Sequence, residues 1–156
     1  TLERRLANGG GHTGWSRAWI IGLWARFKEG RKAYENLQAI LSMGTYPNLM
    51  DNHPLGEHDY VFQIDGNLGA SAAVLEMLAY SRPDRLELLP AVTTETAGGR
   101  LSGMGLRSGG TLDMEWKDGK VLWYRIIPGR DTKLEICVNG KTEEVKLQAG
   151  VEYCSK

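Results

Sequence analysis

The chain has 156 residues, room for one ordinary domain or two small ones, and 42% of them are apolar, enough for a packed core. Its 19 lysines and arginines balance its 19 aspartates and glutamates, which argues against a nucleic-acid or anionic-membrane surface and leaves room for a neutral ligand such as a sugar. No run approaches the roughly 18 consecutive apolar residues of a membrane span.

The sequence opens at Thr1 without an initiator methionine, and Leu2-Glu3-Arg4-Arg5-Leu6 reads as the tail of a helix or the approach to one. Both features point to a C-terminal piece of a longer protein, for which the lack of a signal peptide says nothing about export. From Gly14 to Lys28, the residues Trp15, Ala18, Trp19, Ile20, Leu23, Trp24 and Phe27 recur at three and four, the spacing of a helix. Thr13 is its expected N-cap and Gly30 its expected stop. A second helix is predicted from Arg31 to Ser42, and so short a connection makes the pair an antiparallel αα-hairpin. Three tryptophans within ten residues exceed what one hairpin can bury, which again points to helices upstream. Core packing is the expected role of most of them, although aromatic faces also stack on sugars, and Trp15 and Trp19 share a helix face.

Ser42 to Ile64 shows no convincing periodicity. A loop of that length in a compact domain is usually functional or disordered, and its aromatic content favours an ordered one. A third helix is predicted from Asn67 to Tyr80. It starts with the small residues Gly69-Ala70-Ser71-Ala72-Ala73, which suit close approach by neighbouring helices.

Past Pro83 the period changes. Arg100 to Arg107, Thr111 to Trp116, Val121 to Ile127, Lys133 to Val138 and Lys141 to Leu147 read as strands. Asp118-Gly119 and Asn139-Gly140 are type I′ hairpin turns between them. Leu112, Met114 and Trp116 alternate with Asp113 and Glu115, the mark of a sheet with one wet face. Helices followed by strands in blocks imply an α+β arrangement: an α-part, residues 1–82, and a small antiparallel β-domain, residues 83–156. Cys137 and Cys154 either pair across neighbouring strands or remain separate thiols.

Among chemistry-bearing residues, Asp65 stands out. It reads either as the N-cap of the third helix, with Asn67 competing for that role, or as a carboxylate held at the rim of a pocket with Gln63 and Asn67 beside it. A carboxylate at a helix start is well fixed and stays ionised, which suits a base and not an acid. His12 follows a glycine run that is not a phosphate loop, since no Gly-Lys-Ser/Thr follows. His53 is extended because Pro54 follows it, and His58 is expected to be exposed. Three histidines among scattered carboxylates show no metal-ligand spacing.

Taken together, Gly11-His12-Thr13-Gly14-Trp15-Ser16-Arg17-Ala18-Trp19-Ile20-Ile21, Leu23-Trp24-Ala25-Arg26, Ala33-Tyr34-Glu35-Asn36-Leu37, Pro47-Asn48-Leu49, Phe62-Gln63-Ile64-Asp65-Gly66-Asn67 and Leu88-Leu89-Pro90-Ala91 resemble glycoside hydrolase family 95. These are bacterial, fungal and plant enzymes of the α-L-fucosidase type, some acting on α-L-galactosides. The resemblance covers residues 2 to 125 in order, and the last strands match only in character. It implies the closing helices of an (α/α)6 barrel followed by a C-terminal β-domain, with inverting hydrolysis and no metal or cofactor. Inversion keeps the acid and the water-activating side about 6.5–9.5 Å apart. By motif position, Asp65 assists asparagines that hold the water, while those asparagines and the acid glutamate belong upstream. The resemblance also makes His12, Trp15, His53, Gln63 and Asn67 the substrate-binding candidates. It implies two partners, a carbohydrate and the upstream part of the same catalytic domain, and an extracellular or periplasmic location.

The departures are Leu55 to Val61, inserted beside the motif, and Leu68 where phenylalanine is common. Two other readings stay open. One is a different glycosidase or lyase on the same helical toroid, since fold does not fix chemistry. The other is a non-catalytic carbohydrate-associated module.

Overall fold

The computed structural model describes residues 1–55 and 59–155. Glu57 and His58, and with them part of the inserted segment, lie outside these residues. The chain divides into two compact units, Thr1–Met77 and Leu78–Lys156.

The first unit is helical: α1 (Leu2–Ala7), α2 (Gly14–Arg26), α3 (Gly30–Met43) and α4 (Ile64–Leu78). Thr13 precedes α2 in an extended conformation, although its side chain makes no capping hydrogen bond. The apolar residues that α2 buries are Ala18, Ile20, Ile21, Trp24 and Ala25. α2 and α3 pack together as the expected hairpin. The turn between them differs from the sequence expectation. The left-handed residue is Lys28, at φ 62°, whose amide donates to the Ala25 carbonyl. Gly30 therefore opens α3 instead of closing α2. The small residues of α4 serve close packing: a methyl at Gly69 would stand 3.0 Å from Ala18 Cβ, and one at Gly22 3.8 Å from Ala73 Cβ.

Two further expectations are corrected here. α4 begins at Ile64, three residues before Asn67, so Asp65 lies inside its first turn and is not its cap. The stretch from Ser42 to Ile64 is not purely loop. It holds a short antiparallel ladder of β1 (Asn52–Pro54) and β2 (Tyr60–Phe62), pairing Asn52 with Phe62 and His53 with Val61. Strands of three residues with no alternation of burial leave no periodic signal to read.

Asp51, just before β1, locks this ladder to the helices. Its carbonyl accepts from the Gln63 amide at 3.2 Å. Its own amide donates to Asn67 Oδ1 at 2.8 Å, and Asn67 Nδ2 donates to the Leu49 carbonyl at 2.8 Å. The Asp51 side chain is wholly buried against the first residue of α2 and the third of α4. A methyl at Gly14 would stand 1.5 Å from Asp51 Oδ1, and one at Gly66 2.4 Å from Asp51 Cγ. Only glycine lets both backbones come this close to the carboxyl group.

The second unit contains β3 (Ala79–Ser81), β4 (Arg85–Leu88), β5 (Gly99–Gly105), β6 (Thr111–Lys117), β7 (Lys120–Ile127), β8 (Thr132–Val138), β9 (Lys141–Leu147) and β10 (Tyr153–Cys154). They form two four-stranded sheets, ordered β10-β7-β6-β5 and β3-β4-β8-β9. Leu112 and Met114 of β6, Ile126 of β7, Leu86 of β4 and Ile136 of β8 are fully buried in the core. Asp118-Gly119 and Asn139-Gly140 all have positive φ, between 49° and 77°, as type I′ turns require.

The unit is not purely antiparallel, because β4 runs parallel to β8, with Arg85 opposite Glu135 and Leu86 opposite Ile136. A parallel pair needs a long return, and the whole of β5, β6 and β7 supplies it. β3 also begins at Ala79, inside the predicted third helix, so the change of period comes before Pro83. Cys137 is half-buried and Cys154 exposed, and both are free thiols.

Two stability outcomes follow from this packing. Gly66→Ala gains about 1 kcal/mol of helix propensity, but the overlap with a sealed carboxyl group outweighs it. The expected result is a net loss of about 1–3 kcal/mol in chemical denaturation, partly relieved when Asp51→Ala is added. Leu112→Ala empties a fully buried site and is expected to cost about 2–5 kcal/mol in the same measurement.

Candidate functional site

The first turn of α2, the glycine run before it, β1 and the first turn of α4 supply the residues singled out in the sequence, and the structure sorts them into two hollows. One is a groove of about 290 Å³ between α2 and α4, lined by Trp15, Trp19, Arg26, Asp65 and Glu76 among others. The second, about 450 Å³, is lined by Arg5, His12, Trp15, Ser16 and His53 with neighbouring backbone. Trp15 lines both.

Core packing was expected for most of the tryptophans, with Trp15 and Trp19 sharing a face that could stack on a sugar. Those two remain 49% and 57% exposed, while Trp24 on the buried stripe is 8% exposed. The guanidinium of Arg5 lies over the Trp19 ring, 5.6 Å from its centroid, within cation–π range. At the far end of the groove Arg26 grips Glu76 through two hydrogen bonds of 2.8 and 2.9 Å. Arg26 is half exposed and Glu76 mostly covered, and the pair places polar groups at the end of the groove away from Asp65. Asp65 is exposed and stands eleven residues, three helical turns, before Glu76, so both project from one face of α4. The groove thus has one aromatic wall, from α2, and one of small residues, from α4, with polar groups at its ends.

His12 is fixed by its own loop. Nδ1–H donates to the Gly9 carbonyl at 3.1 Å, which leaves Nε2 of the neutral ring as an acceptor. The loop depends on Gly11, whose φ is 81° and where a methyl would stand 3.0 Å from Ile20 Cδ1 and 3.1 Å from Arg17 Cζ. Ser16 accepts from the Gly11 amide at 3.3 Å and from Arg5 at 3.4 Å. His53, on β1, is half-buried on the same side. His12, His53 and Trp15 are thus brought together, and Asp65 meets them only through Trp15.

Gln63 and Asn67 line neither hollow. The Asn67 amide spends both bonds given above on backbone and holds the loop in place. The Gln63 Oε1 is buried with no hydrogen-bond partner among the described residues.

Sequence reading missed Asp51. Its carboxyl is wholly buried, with neither oxygen hydrogen-bonded among the described residues. Burial pushes its pKa above the ordinary aspartate value, the nearby Asp65 charge adds to this, and His53 opposes it. A signal was available in the glycines opening two predicted helices, but its meaning needed the third dimension. The Arg26–Glu76 clamp was missed as well, since 50 residues separate its members. Among the described residues, no group of three or more His, Cys, Asp or Glu side chains is placed to hold a metal ion. No helix among them is long and apolar enough to cross a membrane.

Comparison with known proteins bears directly on these residues. The model of the glycosyl hydrolase family 95 catalytic domain matches residues 1–78, half of the chain. Alpha-L-fucosidase 2 of Arabidopsis thaliana is 30% identical over 162 aligned positions, covering 96% of this chain and 18% of that protein. Probable alpha-fucosidase A of Aspergillus oryzae is 30% identical over 116 positions, covering 67% of this chain and 16% of the relative. The namesake from Aspergillus niger is 27% identical over 122 positions, covering 71% and 15%. The chain therefore spans less than a fifth of the length of each of these relatives. With the helical unit matched from Thr1 to Leu78 and both motif segments inside the match, the chain belongs to glycosyl hydrolase family 95.

Proposed function

We propose that this chain is the C-terminal part of an inverting exo-glycosidase that hydrolyses terminal α-L-fucosyl linkages, or the closely related α-L-galactosyl ones, in oligosaccharides and glycans. In this reading residues 1–78 are closing helices of an (α/α)6 barrel, and the strands after them form the C-terminal β-domain. The observation that carries it is the groove itself: an exposed carboxylate, Asp65, held in the first turn of α4 beside the uncovered faces of Trp15 and Trp19. The names of the three relatives support the sugar class.

The chemistry follows from that placement. An inverting enzyme needs an acid on the leaving oxygen and an activated water on the opposite face of the ring. By its motif position Asp65 serves the water side, assisting the asparagines that hold the water. The aromatic faces of Trp15 and Trp19 take the C–H face of the sugar. His12 Nε2 and His53 supply polar contacts next to Trp15, which borders both hollows. The acid glutamate and the water-holding asparagines come from the preceding part of the catalytic domain, the chain's obligatory partner in this reading. The 156-residue piece alone is accordingly expected to show no turnover.

The test uses the complete polypeptide and an aryl α-L-fucoside. Asp65→Asn is expected to lower kcat by about 10²–10⁴, the usual contribution of an acid–base group, with an unchanged circular dichroism spectrum. Near wild-type turnover by the folded variant would remove Asp65 from the chemistry. Trp15→Ala is expected to raise KM more than it lowers kcat, because stacking binds substrate and transition state alike.

A further inference from the structure

The β1–β2 ladder pairs Asn52 with Phe62, and one step further along it the Gln63 amide donates to the Asp51 carbonyl. Asp51 and Gln63 are therefore opposite one another. Opposed residues on antiparallel strands project to the same side with Cβ atoms about 4.5–5.5 Å apart. Both Asp51 carboxyl oxygens and Gln63 Oε1 are sealed from solvent, and none has a hydrogen-bond partner among the described residues. Each of these buried acceptors lacks a donor among the described residues, and burying an ionised carboxylate without one is costly.

The described neighbours do not make up the deficit. From α2 the carboxyl meets the backbone of Gly14, and from α4 that of Gly66, so neither helix presents a side-chain donor at these contacts. The charged groups acting on it are His53 of β1, which favours ionisation, and Asp65 of α4, which opposes it. One proton answers the whole arrangement. A neutral carboxyl group has an O–H to give, and Oε1 is the acceptor opposite.

We propose that Asp51 is a neutral carboxylic acid in the folded protein, donating its proton to Gln63 Oε1, and that this pair is a positioning device for Asp65. Gln63 is two residues before Asp65, and the Asp51 amide holds Asn67, two residues after it. The pair thus fixes the FQIDGN segment from both sides. The positioning role rests on the reading of Asp65 given above; the protonation does not.

Because burial raises the folded pKa of Asp51 above its unfolded value, its contribution to stability is full below the unfolded value. That contribution is lost as pH rises through the folded one. Asp51→Asn carries a donor at every pH and lacks this slope.

The deciding experiment is infrared difference spectroscopy of the complete polypeptide, wild type minus Asp51→Asn, combined with thermal unfolding across pH. The expected result is the C=O stretch of a protonated carboxyl at neutral pH, lost in Asp51→Asn, which keeps its fold and near wild-type turnover. Asp51→Leu, similar in volume but without a donor, is expected to lose about a hundredfold in kcat/KM, the cost of a misplacement near 1 Å. If Asp51→Leu does not fold, Gln63→Met replaces it. That variant removes the acceptor and is expected to shift the carboxyl band to higher frequency. The absence of the band would overturn the proposal, since Asp51 is then ionised, as it would be if a reversed Gln63 amide donated to it. Asp51→Asn as damaged as Asp51→Leu would overturn it too. A polypeptide that shows the band but cleaves no fucoside would refute the reading of Asp65 and leave the protonation standing.

Discussion

A single buried carboxyl group ties the helical unit together. Asp51 stands where α2 and α4 begin, with Gly14 on one side and Gly66 on the other, each close enough that a methyl would overlap it. The motif segments that carry the candidate site, from Gly11 to Trp15 and from Phe62 to Asn67, are the segments it joins. Placement of Trp15 on one helix and Asp65 on the other is therefore set by how both helices meet Asp51. The hydrogen bonds from the Asp51 amide to Asn67 Oδ1 and from Asn67 Nδ2 to the Leu49 carbonyl fasten the connecting loop to the same point.

From this constraint the division of labour in the unit follows. The stripe of α2 containing Ala18, Ile20, Ile21 and Trp24 is spent on packing, and the small residues Gly22, Gly69 and Ala73 let α2 and α4 approach closely. Trp15 and Trp19 are left as open aromatic surface between Asp65 and the Arg26–Glu76 clamp. A tryptophan left open in this way forgoes the area-dependent stabilisation of burial within this unit. The second unit obeys different rules: alternating side chains, type I′ turns, and two sheets closing over one apolar core.

Much of this was legible in the sequence where a local period or turn chemistry dictated it. α2 and α3, the strands from β5 to β9, and both Asx-Gly turns needed only neighbouring residues to be read. What was not legible depended on distant partners. β3 and β4 have three and four residues and take their places only through pairing, β4 with β8 some fifty residues later. The three-residue ladder of β1 and β2 shows no alternation. The start of α4 at Ile64 moved Asp65 from cap to first turn. Asp65, His12 and Trp15, which line the two hollows, were singled out from motif and resemblance. Asp51 stayed hidden because its significance lies in two glycines, 37 residues before it and 15 after. Which of the tryptophans are exposed was not legible either, because helical spacing marks a face without saying what covers it.

The placement of the sugar beside Asp65 is the central claim, and a crystal structure of the complete polypeptide with bound L-fucose tests it most directly. The expected result is a pyranose ring with its C–H face on Trp15 or Trp19. Asp65 should reach the water on the ring face opposite the leaving oxygen, directly or through one hydrogen-bonded side chain. A fucose bound in the catalytic cleft with neither Asp65 nor Trp15 lining its subsite would contradict it.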